Sequence, residues 1–278
     1  MSVRRPTCWR LAVLTISMSD ALVMTHSLLV TRPQPQANEW VDRLRALGVT
    51  AQPLPLLRIA PLADDARLSQ ALAAQPDGLV FVSPNAVSQF FANVASDWTW
   101  PSGVFAAGPG PGTAAALRAA GVPDAALIAP DVGAPAYDAA TLWTLLQARD
   151  WTGKRVLIVQ GQGGRADLQG WLSGAGAQVD TVVVYLREGA VLDAPQREAL
   201  HAAMQSPTAH TWLFASAQSL QTLEREAPGA SWADARALAT HPRIAQALRD
   251  FGFGHVDCVS TGVEAVAAAM AAQGAAYN

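Results

Sequence analysis

The sequence predicts an α/β fold: two similar doubly wound parallel-sheet lobes joined by a two-stranded antiparallel linker. Three observations predict it. Half of the chain occurs twice: Leu79-Val-Phe-Val-Ser-Pro-Asn returns as Trp212-Leu-Phe-Ala-Ser-Ala-Gln, one constant offset separating Phe81 from Phe214 and Ser83 from Ser216. Further on, Gly110-Pro-Gly-Thr-Ala-Ala-Ala-Leu-Arg aligns with His241-Pro-Arg-Ile-Ala-Gln-Ala-Leu-Arg, and Leu127-Ile-Ala-Pro with Cys258-Val-Ser-Thr. Within each copy, short apolar runs alternate with segments of helical period, the pattern of parallel strands with crossover helices on both faces. Two stretches read as extended, Leu54–Pro61 before the first copy and Val179–Leu186 between the copies.

The elements follow in order. Leu28-Leu-Val-Thr-Arg-Pro is a strand ending at Pro33, and Trp40, Val41, Leu44 and Leu47 place a helix after it that stops at Gly48. Val49 to Pro53 is a second strand. Leu54-Pro-Leu-Leu-Arg-Ile-Ala-Pro61 is bracketed by prolines, which remove backbone donors and disfavour helix in the residue before them. Helices are then expected over 64–74, 85–94, 113–120, 139–148 and 166–172, with Leu142, Leu145 and Leu146 turned inward on the fourth. Strands are expected at 78–82, 104–107, 126–129 and 154–160, a loop at 130–135, and a long β-branched strand at 179–186. The second copy fills the rest.

The unit 28–53 is too small to stand alone. The second copy lacks a strand–helix unit like the one that starts at Lys154, so it is the natural partner. The expected organisation is one discontinuous lobe, 28–53 plus 189–278, with a second lobe, 62–180, inserted, and linkers 54–61 and 181–188 side by side. Residues 1–27 are expected to be a disordered leader or a misassigned start. Arg4, Arg5 and Arg10 precede a short apolar run, but Asp20 follows it and no small-x-small cleavage site appears; the run is also too short to span a membrane.

Composition narrows the function. Apolar residues make up 51% and charged residues 15% of the 278, enough to build a large core. A net charge of −3 argues against a nucleic-acid surface but leaves room for an anionic small ligand held by local arginines and backbone N–H groups. Two cysteines, Cys8 and Cys258, form neither a metal spacing nor a disulfide framework; Cys258 reads as a small core residue in a reducing compartment. The five histidines are scattered with no i, i+4 pair, so no metal centre is expected.

In a parallel sheet, the turns after the strands gather at one edge, where ligands bind. Thr31-Arg32, Ser83-Pro-Asn85, Gly110-Pro-Gly112-Thr113, Gly161-Gln-Gly163-Gly-Arg165, Ser216 and His241-Pro-Arg243 all fall there. Helix starts carry unpaired N–H groups that attract anions. The same residue types also serve as ordinary caps, and Asn85 reads more readily as a local cap than as a ligand contact. Tyr185, one of three tyrosines, lies in the second extended stretch, where its hydroxyl can either reach the cleft or pack in the ladder.

Taken together, Val30-Thr-Arg-Pro, Pro55-Leu-Leu-Arg-Ile-Ala-Pro, Phe81-Val-Ser-Pro-Asn-Ala-Val, Gly110-Pro-Gly-Thr-Ala, Gly153-Lys-Arg-Val-Leu-Ile-Val-Gln-Gly-Gln-Gly-Gly-Arg, Val184-Tyr-Leu-Arg and His241-Pro-Arg-Ile-Ala resemble the uroporphyrinogen-III synthase family in order and spacing. The resemblance covers nearly the whole chain from Leu28. It implies two α/β lobes on a two-stranded linker and a cytoplasmic enzyme, usually a monomer, that needs neither metal nor organic cofactor and acts on no nucleic acid or membrane. The implied reaction closes hydroxymethylbilane, handed over from hydroxymethylbilane synthase, into uroporphyrinogen III with inversion of the last ring and loss of water. It makes Tyr185 the candidate that assists departure of the substrate hydroxyl. Thr31, Arg32, Ser83, Asn85, Gly112, Thr113, Gly163, Arg165, Ser216, His241 and Arg243 become candidate contacts for a substrate rich in carboxylates.

The chain departs from the family where Gln160 and Gln162 replace charged residues beside the Gly-rich turn, and where Arg243 and Ile244 replace threonines. Three rival readings remain: a hinged binding protein without catalysis, a lobe pair that has lost activity, and a nucleotide-dependent enzyme. Gly108-Pro-Gly-Pro-Gly and Gly161-Gln-Gly-Gly suit the last poorly, since neither completes G-x-G-x-x-G with a following acidic residue and no Walker lysine follows.

Overall fold

The structure, a computed structural model, describes residues 26–275 apart from 63, 64, 132, 135 and 165. Most of the expected leader therefore lies outside the described residues. Along the chain run β1 (Ser27–Val30), α1 (Gln36–Ala46), β2 (Ala51–Pro53), β3 (Leu57–Pro61), α2 (Asp65–Ala73), β4 (Gly78–Phe81) and α3 (Pro84–Asn93). Next come β5 (Phe105–Ala107), α4 (Pro111–Ala119), β6 (Leu127–Ile128), α5 (Ala139–Leu146), β7 (Arg155–Gly161), α6 (Asp167–Gly174) and β8 (Gln178–Gly189). The last are α7 (Ala194–Gln205), β9 (His210–Phe214), α8 (Ser219–Glu226), β10 (Arg236–Ala239), α9 (Pro242–Phe251), β11 (His255–Cys258) and α10 (Val263–Ala275).

The strands form two sheets. One has the order β11-β10-β9-β1-β2 with every neighbouring pair parallel. The other has the order β3-β8-β7-β4-β5-β6 and is parallel except at β3, which runs antiparallel to β8. The duplicated sequence appears as duplicated topology. Strands β9, β10 and β11 occupy the places that β4, β5 and β6 hold in the other sheet, and β1 and β2 take those of β7 and β8.

Side chains alternate across a strand, so a sheet covered on both faces needs apolar residues at successive positions. On β1, Leu28 and Val30 join a cluster with Val41 and Leu44 of α1 and Val266 of α10. Leu29, between them, joins Trp212, Phe214, Leu223 and Leu248 on the opposite face. In the second sheet Leu79 and Phe81 pack with Phe90 of α3 and Leu117 of α4. Val80 faces Leu142 and Leu146 of α5 and Leu172 of α6. Each such burial contributes roughly 1.5–3 kcal/mol.

Two local expectations are corrected and a third is extended. Leu145 is 43% exposed, whereas Leu142 and Leu146, four apart, form the inward stripe of α5. Cys258 is exposed, because β11 is an edge strand with a neighbour on one side only. The second extended stretch is one strand, Gln178–Gly189: its first part pairs parallel with β7, and its last part, Tyr185–Gly189, pairs antiparallel with Leu57–Pro61.

Candidate active site

A cavity of about 160 Å³ opens where the carboxyl ends of β1, β4 and β9 meet the β3–β8 ladder. From the first sheet come Thr31, Arg32 and Pro33 after β1, Gln36 of α1, and Ala215, Ser216 and Ser219 after β9. From the second come Ser83, Pro84 and Asn85 after β4. Leu57 and Ile59 of β3, with Tyr185 and Arg187 of β8, complete the wall.

Tyr185 is fully buried in the core cluster beneath α3. Its ring lies on Gly161, where any Cβ would overlap it, so that glycine is required by close approach. A register shift at Gln160–Gly161 brings Gly161 opposite Tyr185, and the Gln162 N–H donates to the Tyr185 carbonyl at 2.9 Å. Shifts of this kind re-aim a side chain out of the regular ladder. The phenol oxygen lies 3.1 Å from Ser83 Oγ and accepts from Arg187 Nη2 at 2.7 Å.

Ser83 is the N-cap of α3 and accepts the Ala86 N–H at 3.2 Å. Asn85 is not a cap, contrary to expectation: its Oδ1 accepts from Gln36 Nε2 at 2.7 Å, a bond from α3 under one sheet to α1 under the other. Ser216 accepts the Gln218 N–H at 3.3 Å while lining the cavity. Thr31 also lines the cavity, but its hydroxyl donates to the Leu213 carbonyl at 2.7 Å, so it ties β1 to β9.

Arg32, like Arg187, is a cation that lines this cavity. Its guanidinium carbon sits 4.0 Å over the Trp40 ring, within the range of cation–π attraction. Its Nε is shut off from solvent and has no hydrogen-bond partner among the described residues. Burial pushes this guanidinium down to about 10, so it stays charged at neutral pH and is short of acceptors.

The structure thus brings Thr31, Arg32, Ser83, Asn85, Tyr185 and Ser216 to one cavity. It does not bring Gly112, Thr113, Gly163, His241 or Arg243 to that wall. Thr113 is buried over Gly108, and Gly112 starts α4 beside the Pro84 ring. Gly163 supplies a turn with φ +73°, which L side chains rarely adopt. His241 caps α9, its Nδ1 accepting the Arg243 N–H at 3.1 Å, and Arg243 is exposed. Arg165 lies outside the described residues. Gln36, Leu57, Ile59, Arg187 and Ser219 also line the cavity, beyond the residues expected from the sequence. Arg187 stands two residues after Tyr185 on one strand, and that spacing alone places both on one face.

Among the described residues no group of three or more His, Cys, Asp or Glu side chains is placed to hold a metal ion. No helix among them is long and apolar enough to cross a membrane.

Residues 38–267 match the family model described as uroporphyrinogen-III synthase HemD. The chain is 33% identical over 164 residues to the uroporphyrinogen-III synthase of Escherichia coli strain K12, covering 58% of this chain and 65% of that protein. It is 34% identical over 167 residues to that of Salmonella typhimurium, again with 58% and 65% covered. The alignment thus spans just under two thirds of these relatives. Among solved structures, a mutant uroporphyrinogen III synthase from the extremely thermophilic bacterium Thermus thermophilus superposes with a TM-score of 0.54 at 17% identity, covering 89% of this chain and 98% of that one. The enzyme from Helicobacter pylori 26695 gives 0.52 at 15%, with the same coverage. At such identities these two show the α/β fold. The family match extends over most of the chain, and this protein belongs to the uroporphyrinogen-III synthase family.

Proposed function

We propose that the protein is a uroporphyrinogen-III synthase, closing hydroxymethylbilane into uroporphyrinogen III with inversion of the last pyrrole ring and release of water. The observation that carries this reading is the Tyr185 hydroxyl. Its ring is enclosed, yet its oxygen stands between Ser83 and Arg187 in a cavity that Arg32 also lines. Tyr185 gives its proton to the substrate's leaving hydroxyl. The C–O bond breaks with its electron pair on oxygen, water departs, and the adjacent pyrrole nitrogen donates its lone pair to form an azafulvene cation. The last ring attacks that cation through its substituted carbon to give a spiro intermediate. This fragments and recloses inverted, and the final ring proton restores the tyrosine.

Because the linear substrate closes unaided to the uninverted isomer, the protein's main contribution is orientation. Arg32, Ser83, Asn85 and Ser216 serve as anchors for the substrate's carboxylates around the cavity. The side chains named carry every step of this scheme without a cofactor. A lobe of 28–53 with 189–278 and a lobe of 62–180 move about the stretches 54–61 and 181–188. The antiparallel pairing of Leu57–Pro61 with Tyr185–Gly189 supports that division. So does the cavity's size: about 160 Å³ is below the roughly 300–1,000 Å³ of ordinary ligand clefts, so a tetrapyrrole enters only when the lobes part. The protein acts as a cytoplasmic monomer that takes its substrate from hydroxymethylbilane synthase.

The test generates hydroxymethylbilane in situ from porphobilinogen with its deaminase, adds this protein, oxidises the products and separates the porphyrin isomers. Predominantly isomer III is expected; isomer I alone from folded protein would overturn the proposal.

A further inference from the structure

We infer that Arg187 is a positioning residue for the Tyr185 hydroxyl: it directs that proton toward the cavity and supports the charge left on the phenol oxygen when the proton leaves. The inference rests on the proposed role of Tyr185 and adds a residue to it.

The argument is one of hydrogen-bond direction. A guanidinium carries donors only, so at 2.7 Å from Arg187 Nη2 the phenol oxygen must be the acceptor. The Tyr185 proton is thereby turned away from Arg187, leaving Ser83 or the cavity as its direction. Ser83 Oγ is 3.1 Å away and already accepts the Ala86 N–H. If Ser83 donates to Tyr185, the phenol proton faces the cavity directly. If Ser83 accepts from it, the serine's own hydroxyl faces the cavity as the end of a short relay. In both cases the chain of bonds starts at a fixed cation and ends on a donor in the cavity, and bonds arranged in series polarise one another. As Tyr185 gives up its proton to the leaving hydroxyl, negative charge builds on an oxygen with a positive group against it, where a charge-assisted bond is strongest.

The placement of Arg187 is secured independently of its side chain. Its carbonyl accepts from Gln218 Nε2 at 2.9 Å, which ties β8 to the turn before α8. Residue 187 pairs with Ile59 across the ladder, and its guanidinium carbon lies 5.2 Å from the Tyr185 ring centroid. Arg187 thus follows the ladder and the tyrosine together. A cation that lines the same cavity has an alternative occupation, which is to grip a substrate carboxylate, and kinetics separate the two.

The experiment compares wild type, Arg187→Gln, Tyr185→Phe and the double variant in the formation of isomer III from hydroxymethylbilane. Folding is checked by melting midpoint. Arg187→Gln is expected to lower kcat about tenfold, the scale of one charge-assisted hydrogen bond, with KM within about twofold of wild type. The double variant is expected to be no slower than Tyr185→Phe alone, because Arg187 acts through that oxygen. Arg187→Lys, which keeps a charged donor, should recover part of the loss. Arg187→Met, which keeps the apolar stem, replaces the glutamine variant should that one fail to fold. A raised KM with kcat kept, or losses that multiply in the double variant, would assign Arg187 to substrate and overturn the inference. So would a wild-type rate for Arg187→Gln beside a slow Tyr185→Phe. A wild-type rate for Tyr185→Phe sinks the Tyr185 reading itself, which no Arg187 result can do.

Discussion

Burial lowers the Arg32 guanidinium to about 10, so the folded chain holds that proton less tightly than the unfolded chain does. The cost to the fold is present at every pH below about 10 and is relieved as pH rises from there toward the range in which an ordinary arginine titrates. An arginine kept at such a cost beside a cavity suits an anionic ligand that restores its acceptors. Arg32→Met should therefore stabilise the fold at neutral pH by on the order of 1 kcal/mol, seen as a higher melting midpoint, while raising KM for hydroxymethylbilane. A lower midpoint with unchanged KM would make Arg32 a packing residue. Asp138 gives a pH test with the opposite sign. Burial pushes its carboxyl up, but the N–H and hydroxyl of Thr141, with the N–H of Ala140, hold it below the usual range. As the cap of α5 it stabilises the fold above the unfolded carboxyl's titration, and that support is lost as pH falls through the lowered folded value. Asp138→Ala should cost about 1 kcal/mol at pH 7, and the difference should shrink in acid; thermal melts across pH 3–7 measure it. At this scale the sequence was legible where a residue follows a strand, as with Arg32, Ser83 and Ser216. It was silent on Gln36, since only tertiary packing decides that a residue in the first turn of α1 meets Asn85.

Strand β8 positions the chemistry among the elements. Its β-branched run declares an extended conformation in the sequence, but a strand's partners depend on what lies beside it in space. An antiparallel partner near residues 54–61 was expected, but the sequence could not show that the same strand also pairs parallel with β7 at its start. Likewise, β-branching cannot report the register shift at Gly161 that places Tyr185 on a glycine. The order of strands and helices, by contrast, was readable because their periods differ and because each copy of the repeat checks the other. Gly161→Ala should push the Tyr185 ring from its place, costing about 1–3 kcal/mol as overpacking does and slowing isomer III formation as well. A fully active Gly161→Ala variant of wild-type stability would show that the ring adjusts without consequence.

In the whole molecule, one sheet and its helices face the other across a cavity too small for a tetrapyrrole, with Gln36 of α1 bonded to Asn85 of α3. On the proposed reading of two moving lobes, loss of that bond should favour the parted arrangement. Gln36→Ala is expected to increase the radius of gyration in small-angle scattering without ligand, and an unchanged radius would deny the bond that role. Doubly wound α/β architecture was predictable from alternation and repetition alone. The distance between the two sheets was not, because it depends on a few polar contacts that no sequence period encodes.

The most direct measurement is the initial rate of isomer III formation from hydroxymethylbilane, taken side by side for wild type and Tyr185→Phe. The account predicts isomer III from the wild type and a rate roughly 10–100-fold lower from the phenylalanine variant, with isomer I from unaided closure taking its place. Equal rates would contradict it, removing Tyr185 from the chemistry.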